Sequence, residues 1–282
     1  MKRLVTMVVG LMLFSCHTLY ALDVIKEDVR IPMELRYPLG IKTINLSASI
    51  YRLDTGNKLP LVVLNHGTPR DSADRKQKID MERQSKVFVK RGFVAVVPAR
   101  RGYGDSEGEW AEDIGRCDNP DYHSVGKEGM EDLRAVVNYM RKKPYIDPAK
   151  IIMVGQSGGG FAALAYASVY SDGLVGVINF AGGRGPNGPH KLCSPERLIA
   201  TMGDYGKTSR TPTLWIYSEK DVFFPPPFPR KMFEAYQKYG GEGKLVILTS
   251  EQTIHGHNLF IMGVSTWEPI VDEFLRELHL LQ

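Results

Sequence analysis

The chain has 282 residues, of which 43% are hydrophobic and 24% are charged. This composition suits one globular domain with a sizeable core and excludes a disordered chain. The formal net charge of +4 is too small to argue for a nucleic-acid partner or an anionic membrane surface, and we expect neither.

The N-terminus carries a basic and then apolar segment. Two basic residues precede an apolar run, residues 4–14, that is short for a bilayer span. The pattern predicts a signal peptide over residues 1–21, cleaved after Ala21, and therefore an exported protein, periplasmic or secreted. The alternative is lipidation of Cys16, because residues 13–16 resemble a bacterial lipoprotein box. Only that lipidation would bring the protein to a membrane. An uncleaved anchor is disfavoured by the short run.

Residues 22–282 are predicted to form a single domain of alternating strands and helices. Residues 41–53 indicate an antiparallel edge hairpin, and buried-strand patterns follow at 61–64, 93–97, 151–154, 213–217 and 244–249. Apolar residues at helical spacing predict one helix that ends before Pro144 and another over residues 267–278. This alternation predicts an α/β fold with a mostly parallel central sheet and helices on both faces.

The most informative motif is Gly-Gln-Ser-Gly-Gly at residues 155–159. An apolar run precedes it, and small helix-forming residues follow it. Ser157 is therefore predicted to occupy a sharp strand-to-helix turn of the nucleophile-elbow type, where glycines let neighbouring chain pass closely. A serine in this position is a candidate nucleophile for acyl transfer, provided that a base activates it.

An acid and a histidine are expected downstream, in that order. Asp221 follows a predicted strand at the edge where open α/β sheets place their sites, and Glu219 is its competitor. His255 and His257 follow the last predicted strand, and both are candidates for the base. The imidazole would accept the serine proton, and the carboxylate would fix its tautomer.

The oxyanion of an acyl-transfer intermediate needs two backbone N–H donors. Gly158, immediately after the nucleophile, is expected to supply one of them. Thr68, in the glycine turn after a buried strand, is expected to supply the other, because Pro69 has no N–H. We expect His66 to brace this loop.

Three motifs together resemble the α/β-hydrolase superfamily over about residues 40–282. Residues 66–69 are similar to the oxyanion motif H-G-x-P, residues 100–106 to R-G-x-G-x-S, and residues 256–260 to the terminal G-H-x-x-F. The last of these favours His257 over His255. The closest resemblance is to the dienelactone-hydrolase-like and prolyl-oligopeptidase-like branch, which implies an α/β-hydrolase fold. Ser157 stands where true dienelactone hydrolases have cysteine, so dienelactone itself is not implied as substrate.

Two cysteines, Cys117 and Cys193, remain if Cys16 leaves with the signal peptide. An even pair in an exported protein suggests a disulfide, here across two loops at the rim of the predicted cleft. A pair of free thiols is the alternative.

The remaining features concern ligands and substrate. No phosphate-binding loop with its Lys and no metal-ligand spacing occurs in the sequence, so we expect no cofactor and no metal. Irregular residues 99–124 are a candidate lid, and the aromatic residues of 223–228 either line the cleft or form a rigid connection. Arg100 and Arg101 either meet a substrate carboxylate or form salt bridges.

Three functions are compatible with these residues. The first is an esterase that acts on a small carboxylic ester. The second is a peptidase that acts on short peptides through the same triad. The third is a non-catalytic binding protein on a hydrolase scaffold. The sequence does not predict an oligomeric state.

Overall fold

The computed structural model of the protein describes residues 23–38, 40–69 and 71–281. The predicted signal peptide, with its Cys16 and Ala21 alternatives, lies outside these residues. Within the described ranges, none of the helices combines the length and the apolar character that a membrane crossing requires.

Eight strands form one sheet in the order β1-β2-β4-β3-β5-β6-β7-β8. Strands β1 and β2 form an antiparallel hairpin, β2 runs antiparallel to β4, and all other neighbours are parallel. In chain order the strands are β1 Ile25–Tyr37, β2 Gly40–Arg52, β3 Leu59–Asn65, β4 Val94–Pro98, β5 Ile146–Gln156, β6 Leu174–Phe180, β7 Thr213–Ser218 and β8 Gly243–Leu248. The predicted mostly parallel sheet is therefore confirmed.

The predicted edge hairpin needs a correction. This segment does not fold back on itself; residues 41–52 belong to the single strand β2, whose antiparallel partner is β1. Strand β1 escapes sequence analysis because it lies at the sheet edge with most of its residues exposed, so it lacks a buried apolar run.

Helices cover both faces of the sheet. The α-helices are α1 Glu82–Val89, α2 Tyr122–Met140, α3 Gly158–Ala167, α4 Pro195–Thr208, α5 Phe228–Lys238, α6 Leu259–Met262 and α7 Val264–Glu277. Alternate residues of β3 divide between two apolar cores: Leu61 and Val63 pack in the core under α2 to α5, whereas Val62 and Leu64 pack in the core under α1 and α7. This alternation is expected of a strand buried on both faces.

The carboxyl ends of the parallel strands meet at one edge of the sheet, which is where open α/β sheets bind their ligands. The loops and turns after these strands carry the residues that the sequence suggested, together with Arg184, which it did not: Thr68 after β3, Arg100 after β4, Ser157 after β5, Arg184 after β6, Asp221 after β7 and His257 after β8.

Candidate active site

Ser157 occupies the sharp turn between β5 and α3. Its backbone angles are φ 53° and ψ −121°, a combination that a non-glycine residue adopts only when its surroundings impose it. The Ser157 N–H donates to Phe180 O at 2.9 Å, and Gly183 N–H donates to Ser157 O at 3.2 Å. A side chain at Gly155 would overlap the backbone of Gly159, so the turn closes only with glycine there.

Asp221 and His257 are hydrogen-bonded to each other. His257 Nδ1 lies 2.9 Å from Asp221 Oδ2, and the carboxylate is fully buried. The other carboxylate oxygen accepts the backbone N–H groups of Phe223 at 2.8 Å and Phe224 at 3.0 Å. The carboxylate is thereby fixed in orientation. Because Nδ1 donates to it, the lone pair of a neutral His257 ring is on Nε2.

The loop that carries His257 is locked against its neighbours. Gly256 has φ 53°, and a Cβ there would stand 2.7 Å from Lys220 O. Only glycine therefore lets this loop come so close to the turn that carries Asp221. The Gln156 side chain donates to His257 O at 2.9 Å. Gln156 was not recognised as a positioning residue, although its place inside the elbow motif was a signal.

The two alternative candidates for the acid and the base, Glu219 and His255, do not take part in this hydrogen bond. The exposed Glu219 accepts the backbone N–H of Ser250 at 3.1 Å. The ring of His255 lies against Gly263, where a Cβ would stand 3.1 Å from its Cδ2. Neither residue lines the cavity that contains Ser157 and His257.

That cavity has a volume of about 230 Å³. Its walls come from the loops after several strands and from the long irregular segment after β4: Thr68, Pro69, Arg75, Trp110, Glu112, Asp113, Ile114, Ser157, Gly183, Arg184, Gly185, Pro186, Phe223 and His257. Within the described part of the chain, the Ser157 hydroxyl has no hydrogen-bond partner. Contacts of catalytic hydroxyls are often long before substrate binds.

The two predicted oxyanion donors flank Ser157. A Cβ on Gly67 would stand 3.4 Å from Ser157 Cβ, so the turn before Thr68 packs directly on Ser157. Across residues 23–38, 40–69 and 71–281, no hydrogen bond uses the backbone N–H of Thr68 or Gly158. Gly158 also begins α3, whose N-terminal dipole favours negative charge.

The sequence pattern of the prolyl oligopeptidase family matches residues 80–173, a segment that contains Ser157 and ends before Asp221. Dipeptidyl-peptidase 5 of Porphyromonas gingivalis is 27% identical over 129 residues, which are 46% of this chain and 18% of that protein. The chain thus spans less than a fifth of the length of this curated relative.

Solved structures cover more of the chain. A protein described as a dienelactone hydrolase, from Klebsiella pneumoniae, superimposes with a TM-score of 0.62 at 16% identity, over 89% of this chain and 98% of that one. The esterase Pf2001 of Pyrococcus furiosus gives a TM-score of 0.61 at 16% identity, over 89% and 92%. The protein has the α/β-hydrolase fold. The fold and the family match together support a serine hydrolase, either an esterase or a peptidase.

A buried charged network lies against the loop that carries Thr68. Glu112 forms ion pairs with Arg100 and Arg184 and accepts a hydrogen bond from Tyr103 OH at 2.8 Å. Burial alone would raise the pKa of Glu112, but the two guanidinium groups lower that pKa to about 2, so the carboxylate is charged at neutral pH. Glu112 lies in the irregular segment and belongs to no motif, which is why sequence analysis missed it.

The two arginines of the R-G-x-G-x-S motif form salt bridges inside the protein. Arg100 is fully buried and pairs with Glu112, while Arg101 pairs with Glu128 at 2.5 Å and Asp132 at 2.8 Å. Neither arginine lines the cavity. Both arginines therefore form salt bridges, which was one of the two predicted roles, and neither lies where it would meet a substrate carboxylate in the cavity.

His66 braces the same loop. Its Nε2 accepts the backbone N–H of Arg100 at 3.2 Å, and its Nδ1 lies 2.7 Å from Gly67 O. Burial, with the Arg100 cation beside it, lowers the pKa of His66 to about 3. The ring is therefore neutral at physiological pH and contributes no charge to the site.

Cys117 and Cys193 are joined by a disulfide. Cys193 N–H donates to Gly185 O at 3.0 Å, and Gly185 lines the cavity. On the other side of the bond, the irregular segment contributes Ile114 to the cavity wall. The disulfide therefore connects two loops that both contribute to the cavity wall.

Replacing both half-cystines, as Cys117→Ser with Cys193→Ser, is expected to lower the free energy of unfolding by about 4 kcal/mol, because the bond closes a long loop in the unfolded chain. Urea unfolding of the oxidised wild type and of the double variant measures this difference. Equal unfolding midpoints and slopes would contradict it.

Only the first residue of the predicted aromatic segment lines the cavity. The Phe223 ring is 4.8 Å from the His257 ring, between centroids, and contributes to the wall. Phe224 is fully buried and stacks on Phe228 at 6.2 Å. The cleft-lining hypothesis therefore applies to Phe223, and the rigid-connection alternative applies to Phe224 and Phe228.

This division gives a matched pair of variants. Phe223→Ala is expected to lower kcat/KM for bulky aromatic esters, relative to short ones, by about tenfold, because it removes apolar wall area from the cavity. Phe224→Ala is expected to lower the free energy of unfolding by about 3–5 kcal/mol through a core cavity. Ester selectivity and urea unfolding are measured on both. Unchanged selectivity of Phe223→Ala would exclude Phe223 from the substrate pocket.

No group of three or more His, Cys, Asp or Glu side chains with the geometry of a metal site occurs among the described residues.

Proposed function

We propose that the protein is an exported serine hydrolase that cleaves small carboxylic esters. Ser157 is the nucleophile, His257 the general base and Asp221 the carboxylate that orients the imidazole. The observation that carries the proposal is the hydrogen bond between His257 Nδ1 and the buried Asp221, made by a histidine that shares a cavity with Ser157.

The reaction follows from these positions. The Ser157 oxygen attacks the ester carbonyl while His257 Nε2 accepts its proton, and the carbonyl oxygen becomes an oxyanion that accepts the N–H groups of Thr68 and Gly158. His257 then returns the proton to the departing alcohol, leaving an acyl-enzyme on Ser157. Water then attacks the acyl carbon while His257 accepts its proton; the bond from that carbon to the Ser157 oxygen breaks, His257 returns the proton to this oxygen, and the acid leaves. The Asp221 carboxylate stabilises the imidazolium in both steps.

Export is part of the proposal. The disulfide between Cys117 and Cys193 supports it, because such bonds persist in oxidising compartments and are rare in the cytosol.

A peptidase acting on short peptides is the second candidate. The match to the prolyl oligopeptidase family and the similarity to a dipeptidyl-peptidase favour it. A non-catalytic binding protein is the third candidate, and the retention of Ser157, Asp221 and His257 in one site argues against it.

The experiment that separates the first two candidates compares p-nitrophenyl esters with p-nitroanilides of the same acyl groups, using the mature protein, with Ser157→Ala as background. The proposal expects kcat/KM for the ester to exceed that for the amide of every acyl group by more than their difference in spontaneous hydrolysis. Amide turnover that matches or exceeds ester turnover would favour the peptidase.

A further inference from the structure

Arg184 lies against the oxyanion hole. It follows β6 in the loop whose Gly183 N–H is bonded to Ser157 O. A Cβ on Gly158 would stand 2.9 Å from Arg184 Nη1 and would overlap Thr68 Oγ1. The guanidinium and the threonine hydroxyl thus occupy the space that a side chain at Gly158 would fill, beside the N–H group of that residue.

The guanidinium also holds Thr68 in place. Arg184 Nη1 donates to Thr68 Oγ1, and Arg184 Nη2 donates to the backbone carbonyl of Glu112. The Thr68 hydroxyl is further bonded to Tyr103 OH at 3.3 Å and to Glu112 Oε2 at 3.4 Å. Arg184 is only 6% exposed, and its Nε has no hydrogen-bond partner in the described part of the chain.

Arg184 places a buried positive charge next to Thr68. It shares the Glu112 carboxylate with Arg100, while nearby Arg101 has carboxylate partners of its own. Buried charges are costly unless they are compensated, so a second cation on one carboxylate, beside the predicted oxyanion donors, calls for a functional reason. The reaction supplies a negative charge at that place each time an oxyanion forms on Ser157.

We propose that Arg184 is a positioning residue of the oxyanion hole, which holds Thr68 and keeps a positive charge beside the developing oxyanion. This inference rests on the proposed function. The charge stabilises an anion that exists in the transition state and not in the neutral ester, so its removal lowers kcat more than it raises KM.

The test compares Arg184→Met with Arg184→Lys, which keeps the charge. Arg91, a partly buried arginine that pairs with Glu268 and Asp272 away from the cavity, supplies the matched control Arg91→Met. Each variant is assayed for p-nitrophenyl acetate turnover, for the rate of labelling by a fluorophosphonate, and for inhibition by phenylboronic acid, which forms a negatively charged tetrahedral adduct with serine. Circular dichroism checks folding.

Arg184→Met is expected to lower kcat by about 10- to 100-fold with KM changed less than about threefold, and to weaken boronic acid binding by a similar factor. Arg184→Lys is expected to retain part of the wild-type kcat and part of the affinity for the boronic acid. Arg91→Met is expected to match wild type in both. If Arg184→Met does not fold, Arg184→Gln replaces it with the same expectations. Equal losses in the charged and uncharged variants, or a change confined to KM, would overturn the inference.

A second variant separates charge from positioning. Thr68→Val removes the hydroxyl that Arg184 contacts and keeps the cation, so it is expected to lower kcat less than Arg184→Met does. If Thr68→Val lowered kcat as much as Arg184→Met does, the Arg184 charge would have no effect of its own on the oxyanion. An unlabelled, inactive wild type would overturn the proposed function together with this inference, whereas a labelled wild type with an equally fast Arg184→Met would overturn the inference alone.

Discussion

Ser157→Ala is expected to lower ester turnover by about 10⁴-fold or more while leaving the fold unchanged. In the proposed mechanism the Ser157 hydroxyl attacks the carbonyl, so alanine removes the nucleophile. Alanine fits the site, because Ser157 contributes to the turn through its backbone and its hydroxyl bonds to no described residue.

The measurement is kcat for p-nitrophenyl acetate on wild type and variant, with thermal unfolding as the check on folding. Residual activity within about tenfold of wild type would mean that Ser157 is not the nucleophile. A large fall in melting temperature would instead show that the hydroxyl is needed by the fold.

His257→Ala is expected to cause a loss of similar size, whereas His255→Ala is expected to change kcat less than about threefold. His257 is bonded to the buried Asp221 and lines the cavity with Ser157, while His255 lies against Gly263 outside it. The two residues are separated by one glycine, so each variant serves as the control for the other.

The same ester assay, run on both histidine variants at saturating substrate, measures this difference. A large loss in His255→Ala with near-normal turnover in His257→Ala would reverse the assignment. Equal and mild effects in both variants would argue against a histidine base altogether.

Much of the fold and the candidate triad could be predicted from sequence because the signals are local. The strand-turn-helix pattern around Ser157 is continuous in the chain, and the positions of Asp221 and His257 follow from where two strands end. Parallel strands bring their carboxyl ends to the same edge of the sheet, whatever the length or conformation of the connecting loops.

The supporting residues could not be predicted, because their roles depend on long-range packing. Glu112 lies in an irregular segment, and only the folded chain places it between Arg100 and Arg184. Gln156 reaches the carbonyl of His257 across a separation of 101 residues. Strand β1 was missed for a different reason, since an exposed edge strand leaves no buried apolar pattern.

The most direct test of the account is the reaction of the purified mature protein with a fluorophosphonate probe, read by intact mass and peptide mapping, with p-nitrophenyl acetate turnover measured in parallel. The account predicts one adduct per chain, located on Ser157, with turnover that the adduct abolishes. A folded protein that gains no adduct and shows no turnover would contradict it and would favour a non-catalytic binding protein on a hydrolase scaffold.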